Sequence, residues 1–452
     1  MSFSRMRNTT AALCTRWISP PNGTCRSLSS TNGEPPMIMR STPSNEILIA
    51  ADLGTQKMAV AVAEMAGDGS LTLLGVGEGV SAGMRKAEVT DFGHARAAAR
   101  MALADAERRT QAEVSELYLT MSGTHLASRN ESVRVATSPD DEHRVTEGTL
   151  EELQQLAAHL PLPRDHAILH ELLRGYSLDR GVASPNPLGT HTEQIEAHYH
   201  LVTGKRTRLQ TGVQCVSDQK IRVKGCTFSS YASGLAVLTE EGKQRGAVVI
   251  DLGAGVTDVS VWRDGAVVHS CVHGVGGDHL SQDLSIGLEI PYARAEKVKR
   301  ELGTVTLAAE EQDEKITLSR EISFDGRTFY KEAMVQVLQA RMAEILEIVR
   351  DDIEAQGLWS AVEGEVVVTG GGARMRGLAR LASEILPRPV RIGRARDFLG
   401  EQGDLERPEL AAVLGTLRYA AEHEMKEAGR PQGLKKLSQS IGRMLSAMRF
   451  LA

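Results

Sequence analysis

The sequence predicts an α/β protein folded as two lobes, and three features carry that expectation. A chain of 452 residues exceeds what one hydrophobic core usually serves. A device is repeated: residues 47–54 (ILIAADLG) and residues 247–253 (AVVIDLG) are each an apolar strand ending in Asp-Leu-Gly. In both copies a turn, an alternating strand, an Asp-Gly step and a third strand follow. Finally, helical stretches such as ARAAARMALADAERR come after the strands, the alternation expected of α/β lobes.

Taken in order, the leading strand of each copy is apolar at consecutive positions and reads as buried on both faces. The Asp-Gly steps between alternating runs signal tight hairpins. The turns after Asp52 and Asp251 are built of small residues, so backbone N–H groups can point into open space and bind phosphate oxygens. A carboxylate repels phosphate. Asp52 and Asp251 make sense if a divalent cation, Mg²⁺, sits between them and the phosphates, held through water. Each turn is then one jaw of a nucleotide clamp. The chain lacks G-x-x-x-x-G-K-[ST], and Gly253 to Asp258 ends in Asp where a dinucleotide fingerprint needs a small residue.

Two further elements follow. The strand Val366 to Thr369 runs into Gly370, Gly371 and Gly372, which lets a flat ring or sugar approach the backbone; a left-handed cap before the next helix would use the same residues. In YARAEKVKREL, Glu296 and Lys299 lie one helical turn apart. They form either a solvated charged face or, with the other elements, a hold on ribose through Glu296 and on the base through the Lys299 stem.

Composition narrows the function classes. A net charge of −6 supplies no global pull toward nucleic acid or an anionic membrane. Aromatic content of 4% argues against a stacking single-strand binder, so no nucleic-acid partner is expected. The five cysteines include no C-x-x-C pair, fitting a reduced cytosolic compartment. No apolar run is long enough to span a bilayer. Residues 1–44, rich in Ser, Thr, Pro and Asn, are expected to be disordered; a transit peptide, or a true start at Met37 or Met39, remains open. His198 and His200 share a strand face, but no carboxylate or cysteine completes a metal site.

These motifs, in this order, resemble the actin, sugar-kinase and DnaK-type chaperone superfamily, and within it the FtsA family of bacterial division proteins. The likeness runs from about Ile47 to the C-terminus. It includes VTEGTLEELQQLAAHLPLPRDHAILHELLRGYSLDRGVASPNPLG, which is similar to the family's inserted small domain. The resemblance implies a two-lobed actin-like ATPase fold with a small α+β insert, binding ATP with Mg²⁺. It assigns Asp52, Gly54, Thr55 and Lys57 to the first phosphate loop. Asp251, Gly253, Gly255, Thr257 and Asp258 form the second, Gly370 to Gly372 meet adenosine, and Glu296 and Lys299 contact ribose and base. Asp52 and Asp251 would organise metal and water for at most slow hydrolysis, since no strong general base is evident. Ala254 stands where many relatives have a third glycine.

The implied domains are a disordered extension at 1–44, first-lobe segments at 45–128 and 211–246, and the insert at 129–210. The second lobe follows at 247–289, with a tip at 290–345 and the adenosine loop with closing helices at 346–425. A linker spans 426–433 and an amphipathic helix 434–452. The implied partners are the FtsZ C-terminal tail at the tip, further copies of the chain in a polymer, other division proteins, and the cytoplasmic face of the plasma membrane at the division site. A small-molecule kinase or a PilM-type pilus scaffold would share the fold.

The last segment has its own signature. On a helix, Leu434, Leu437, Ile441, Met444, Leu445, Met448 and Leu451 fall within an arc of roughly 120°. Lys435, Lys436, Arg443 and Arg449 occupy the rest, with no acidic residue. That split suits a helix lying in an anionic leaflet; docking on the chain's own lobe or on a partner is the competing reading.

Overall fold

The computed structural model describes residues 46–321 and 324–429. The expected extension at 1–44 and the amphipathic helix at 434–452 lie outside them. The chain opens with strands β1 (Glu46–Leu53), β2 (Lys57–Met65) and β3 (Leu71–Val80), helix α1 (Phe92–Thr110) and β4 (Glu116–Met121). The insert follows: β5 (Leu126–Ala136), α2 (Glu147–Ala158), β6 (His166–Leu178), β7 (Val182–Ser184) and β8 (Gln194–Lys205). Helix α3 (Arg206–Ser217), β9 (Arg222–Phe228), α4 (Ser229–Val237) and α5 (Glu240–Arg245) lead to the second lobe. That lobe contains β10 (Ala247–Leu252), β11 (Thr257–Arg263), β12 (Ala266–His273), α6 (Gly277–Gly287), α7 (Tyr292–Leu302), β13 (Lys315–Leu318) and β14 (Arg327–Tyr330). It continues through α8 (Lys331–Ala355), β15 (Val366–Thr369), α9 (Leu378–Ile385) and β16 (Val390–Ile392). The described chain ends with β17 (Phe398–Gly400), α10 (Gln402–Leu405) and α11 (Ala411–Gly429).

The two main sheets share one plan. The first runs β9-β4-β1-β2-β3-β17 and the second β16-β15-β10-β11-β12. In each, the Asp-Leu-Gly strand pairs antiparallel with its hairpin partner and parallel with the strand on its other side. The hairpins differ in detail. Asp264 and Gly265 both take positive φ, the pattern of a type I′ turn. At the first hairpin only Gly69 does so, and Asp68 closes the turn by accepting from the Ser70 N–H at 2.9 Å.

Packing explains the two layers on each sheet. Helix α1 is capped by Asp91, whose carboxylate accepts from the His94 N–H. It presents Ala95, Ala98, Ala99, Ala102 and Ala106 inward, at the spacing of one helical face. These small residues let it rest directly on β3: a Cβ at Gly77 would lie 2.1 Å from Ala106 N. In the second lobe α8 buries larger residues, including Leu338, Met342 and Leu346, against the sheet. Between the lobes α4 and α11 cross so closely that a Cβ on Gly415 would lie 1.7 Å from the Ala232 carbonyl oxygen.

Several expected boundaries move: the insert's first strand begins at Leu126, before 129, and α11 continues to Gly429, into the expected linker. The insert's sheet ends at Lys205, and α3, whose Leu209, Cys215 and Val216 join the first-lobe core, claims residues 206–210. Helix α8 runs unbroken from Lys331 to Ala355, so the tip does not end at 345. Residues from Phe398 onward return to the first lobe: β17 pairs with β3, and Leu410, Leu414 and Leu417 bury against Leu48, Ala50 and Ala61. An apolar helix face carries no mark of which sheet it will cover. Among the described residues no helix is long and apolar enough to cross a membrane.

Candidate functional site

Strand pairing sets two aspartates at equivalent places. Asp52 lies opposite Thr120 and Asp251 opposite Thr369 across the parallel pairs. The turns behind them need glycine for the same reason. A Cβ at Gly54 would come within 2.5 Å of the Lys57 carbonyl oxygen, and one at Gly253 within 2.8 Å of that of Val256. The Gly253 N–H donates to the Val256 carbonyl at 3.0 Å. The turns then meet: a Cβ at Gly255 would stand 2.7 Å from both Thr55 Oγ1 and Lys86 Cα, and Thr55 Oγ1 accepts from the Ala87 N–H. Two further bonds link the lobes, Gln56 Nε2 to Asp278 Oδ1 at 2.9 Å and Ser122 Oγ to Asp258 Oδ1 at 2.6 Å.

The floor beneath these turns is acidic. Asp251 and Asp258 are buried and face each other across β10 and β11; Asp52 is partly buried. Burial, then the charge of Asp251, pushes the Asp52 carboxyl up to about 7 against the pull of Lys57. Burial lifts Asp251 to about 6, opposed by hydrogen bonds from serines, of which Ser233 Oγ donates at 2.6 Å. Asp258 is held well above the usual carboxylate range by burial and by Asp251. Clustered like charges in a low-dielectric setting repel. This donor set suits a hard divalent cation.

Beside these turns opens a cavity of about 1020 Å³, large enough for a nucleotide; Asp52, Asp251 and Asp258 are not among its lining residues. Of the sequence-predicted residues, Lys57, Gly253, Glu296, Lys299, Gly371 and Gly372 line it. Gly54, Thr55, Gly255 and Thr257 instead shape the turns, Thr257 by donating to the Val275 carbonyl. Gly370 takes φ +82°, and a Cβ there would sit 2.2 Å from Asp251 Oδ1, so its glycine serves the aspartate. Glu296 and Lys299 pair with each other at 2.6 Å. Ser281 donates to Glu296, and Lys299 Nζ donates to the Gly277 carbonyl.

The sequence reading passed over Gly276 and Gly277. A Cβ at Gly276 would meet the carbonyls of Gly253 and Ala254 at 2.7 and 2.8 Å, so the second turn sits on the start of α6. The signal was the Gly-Gly pair in GVGGDHL. Of the histidines, His198 is hydrogen-bonded to Ser132 and Ser177, and His200 to Asn130 and Ser270.

The chain matches known proteins along most of its length. The family model for cell division protein FtsA matches residues 248–415, and that for the SHS2 domain inserted in FtsA matches residues 123–203. Cell division protein FtsA of Rhizobium meliloti (strain 1021) is 32% identical over 367 residues, 80% of this chain and 82% of that protein. The chain belongs to the FtsA family. FtsA of Escherichia coli (strain K12) is 27% identical over 404 residues, 88% of this chain and 95% of the relative. Among solved structures, a PilM-PilN type IV pilus biogenesis complex matches with a TM-score of 0.58 at 14% identity, covering 83% of this chain and 98% of that one. This last likeness concerns the fold alone. The fold is the actin-like α/β architecture, with SHS2 as the insert, and the FtsA-family chain is a cell-division protein.

Proposed function

We propose that this FtsA-family chain binds Mg²⁺-ATP between its lobes and uses that state to govern self-association and attachment of FtsZ filaments to the membrane. The observation that carries the reading is the pair of glycine-walled turns meeting over Asp52, Asp251 and Asp258. On this reading, backbone N–H groups of the Gly54 and Gly253 turns receive phosphate oxygens. Gly371, with open space beside it, and Gly372, packed on Leu252, would face adenosine, and Glu296 with Lys299 would exchange its mutual contact for ribose and base.

When bound, Mg²⁺ supplies the positive charge that offsets the phosphates and the carboxylates beneath them. The chain's own part is orientation: Ser233 holds Asp251 and Ser122 holds Asp258. Glu78 and Glu409 at the cavity wall are poor general bases. Burial raises both, but hydrogen bonds win and hold them below the usual range: from Arg407 and Lys57 on Glu78, and from its own backbone N–H and then Arg407 on Glu409. At most slow hydrolysis is expected, with neither glutamate able to serve as base.

The insert is the polymer contact, the tip around β13 and β14 receives the FtsZ C-terminal tail, and residues 434–452 lie on the inner face of the plasma membrane at the division site. Calorimetry of the intact chain with Mg²⁺-ATP tests the clamp: submillimolar binding, weakened at least about tenfold in Asp251→Asn, is expected. A folded chain that takes up no adenine nucleotide at millimolar concentration overturns it. Co-sedimentation with anionic vesicles and FtsZ tests the tether, which Leu437→Glu should abolish.

A further inference from the structure

The edge strand β12 reads AVVHSCVH. Alternate residues of a strand share a face, so His269, Cys271 and His273 stand in a row, and helix α8 brings Asp352 to them. Asp352 Oδ2 is 3.1 Å from His269 Nε2 and 3.1 Å from Cys271 Sγ. His273 Nε2 lies 3.3 Å from Cys271 Sγ and 3.8 Å from Asp352 Oδ2. One ligand atom each from His269, Cys271 and Asp352 falls within 4.8 Å of the other two. We propose that His269, Cys271 and Asp352, completed by His273, bind a divalent transition-metal ion of the zinc class.

The spacing suits such an ion. Zinc bonds of about 2.0–2.3 Å to nitrogen, oxygen and sulfur put neighbouring tetrahedral ligands about 3.3–3.8 Å apart, close to the separations already present. Imidazole and thiolate donors select a borderline metal over Mg²⁺, which separates this cluster chemically from the all-carboxylate floor of the cleft. Asp352 already accepts from His269 and Cys271, so the cluster is preformed; binding would release the thiol proton to solvent and shift the His269 proton from Nε2 to Nδ1 by exchange with water. The side chains of His269, His273 and Asp352 keep 16%, 19% and 26% exposure, leaving a way in.

The first lobe offers an internal contrast. Val62, Val60 and Met58 of β2 pair with Gly75, Gly77 and Gly79. Their second-lobe counterparts Val261, Val259 and Thr257 pair with His269, Cys271 and His273. Where one lobe has bare backbone under its helix, the other has three ligating side chains. The strand also carries the insert: Ser128 donates to the Ser270 carbonyl, Asn130 to that of Val268, and His200 bonds Ser270 Oγ. An ion here would fasten to α8 the strand on which the insert rests.

The test is a titration of the intact, untagged, chelator-stripped chain with Co²⁺ as a spectroscopic probe, followed by Zn²⁺ competition. One equivalent should give a thiolate-to-cobalt charge-transfer band and the strong visible absorption of a four-coordinate site, both bleached by Zn²⁺. Cys271→Ser should remove the charge-transfer band, and His269→Gln or Asp352→Asn should each weaken binding at least about tenfold. A folded chain with no such band, or a band that survives in Cys271→Ser, overturns the proposal. If Cys271→Ser fails to fold, unchanged affinity in His269→Gln and Asp352→Asn does so.

Discussion

The first lobe seats α1 on the glycines of β3, whereas the second seats α8 on a strand that carries His269, Cys271 and His273 in the matching places. Both lobes keep the same strand order and an aspartate at the same register, yet the layer between edge strand and helix is backbone contact in one and polar side chains in the other. The duplication thus preserves what builds the cleft and varies what lies beneath it. The carboxylates diverge too: Asp258 in the second lobe corresponds by register to Ala59 in the first, so the cleft floor is lopsided.

The sharpest way to break this comparison is to give the first lobe the side-chain layer of the second. Gly77→Val would drive Cβ into the Ala106 backbone and should cost about 3 kcal/mol or more, read as a fall in the urea midpoint. Next comes Gly370→Ala, which combines a positive φ with overlap on Asp251. It should lose about 2 kcal/mol and at least tenfold in nucleotide affinity. Met121 occupies the corresponding place after Thr120, and Met121→Ala should destabilise to a similar degree, about 2 kcal/mol, while leaving nucleotide affinity within about threefold.

Among its contacts, the insert places one buried histidine against each lobe, and acid weakens both. His170 Nε2 accepts from the Phe228 N–H of the first lobe, and His200 bonds Ser270 of the second. Burial pushes each ring down to about 3, with His269 next among the causes at His200. The neutral form is therefore the one the fold prefers. The stability each contributes is complete above the ordinary value near 6.5 and is lost as pH falls from there toward 3. By pH 5 that amounts to about 2 kcal/mol per ring, so His200→Gln should flatten the pH dependence of thermal unfolding by one proton. The smallest effect is Cys271→Ala, which removes one hydrogen bond to Asp352 and should cost about 1 kcal/mol without metal, against the much larger loss at Gly77.

Much of the cleft could be read from the chain because its parts are local. Asp-Leu-Gly and the glycines behind it declare a strand end and a tight turn within eight residues, and Glu296 and Lys299 sit one helical turn apart on α7 as their spacing required. The misreadings concern contacts that no short window contains. Phe398 to Gly429 reads as an apolar segment that could close either lobe, and only the small-residue face of Leu48, Ala50 and Ala61 decides which. Asp352 lies 81 residues from Cys271, so no short window holds both and the sequence reading did not single out this group. The lift on the Asp52 carboxyl, set first by burial, likewise includes a push from Asp251 in the opposite lobe.

With the Ala232 carbonyl lying directly beneath Gly415, the α4 and α11 backbones touch at their crossing, and Tyr231 and Tyr419 meet edge to face beside it, so sliding is opposed. Relative movement there is restricted to swivelling about a pin, and displacement must grow with distance from it. The Ser122–Asp258 and Gln56–Asp278 links are then the catches of a hinged clasp. Removing both should increase deuterium uptake at the rim of the cleft while leaving the pivot as protected as before.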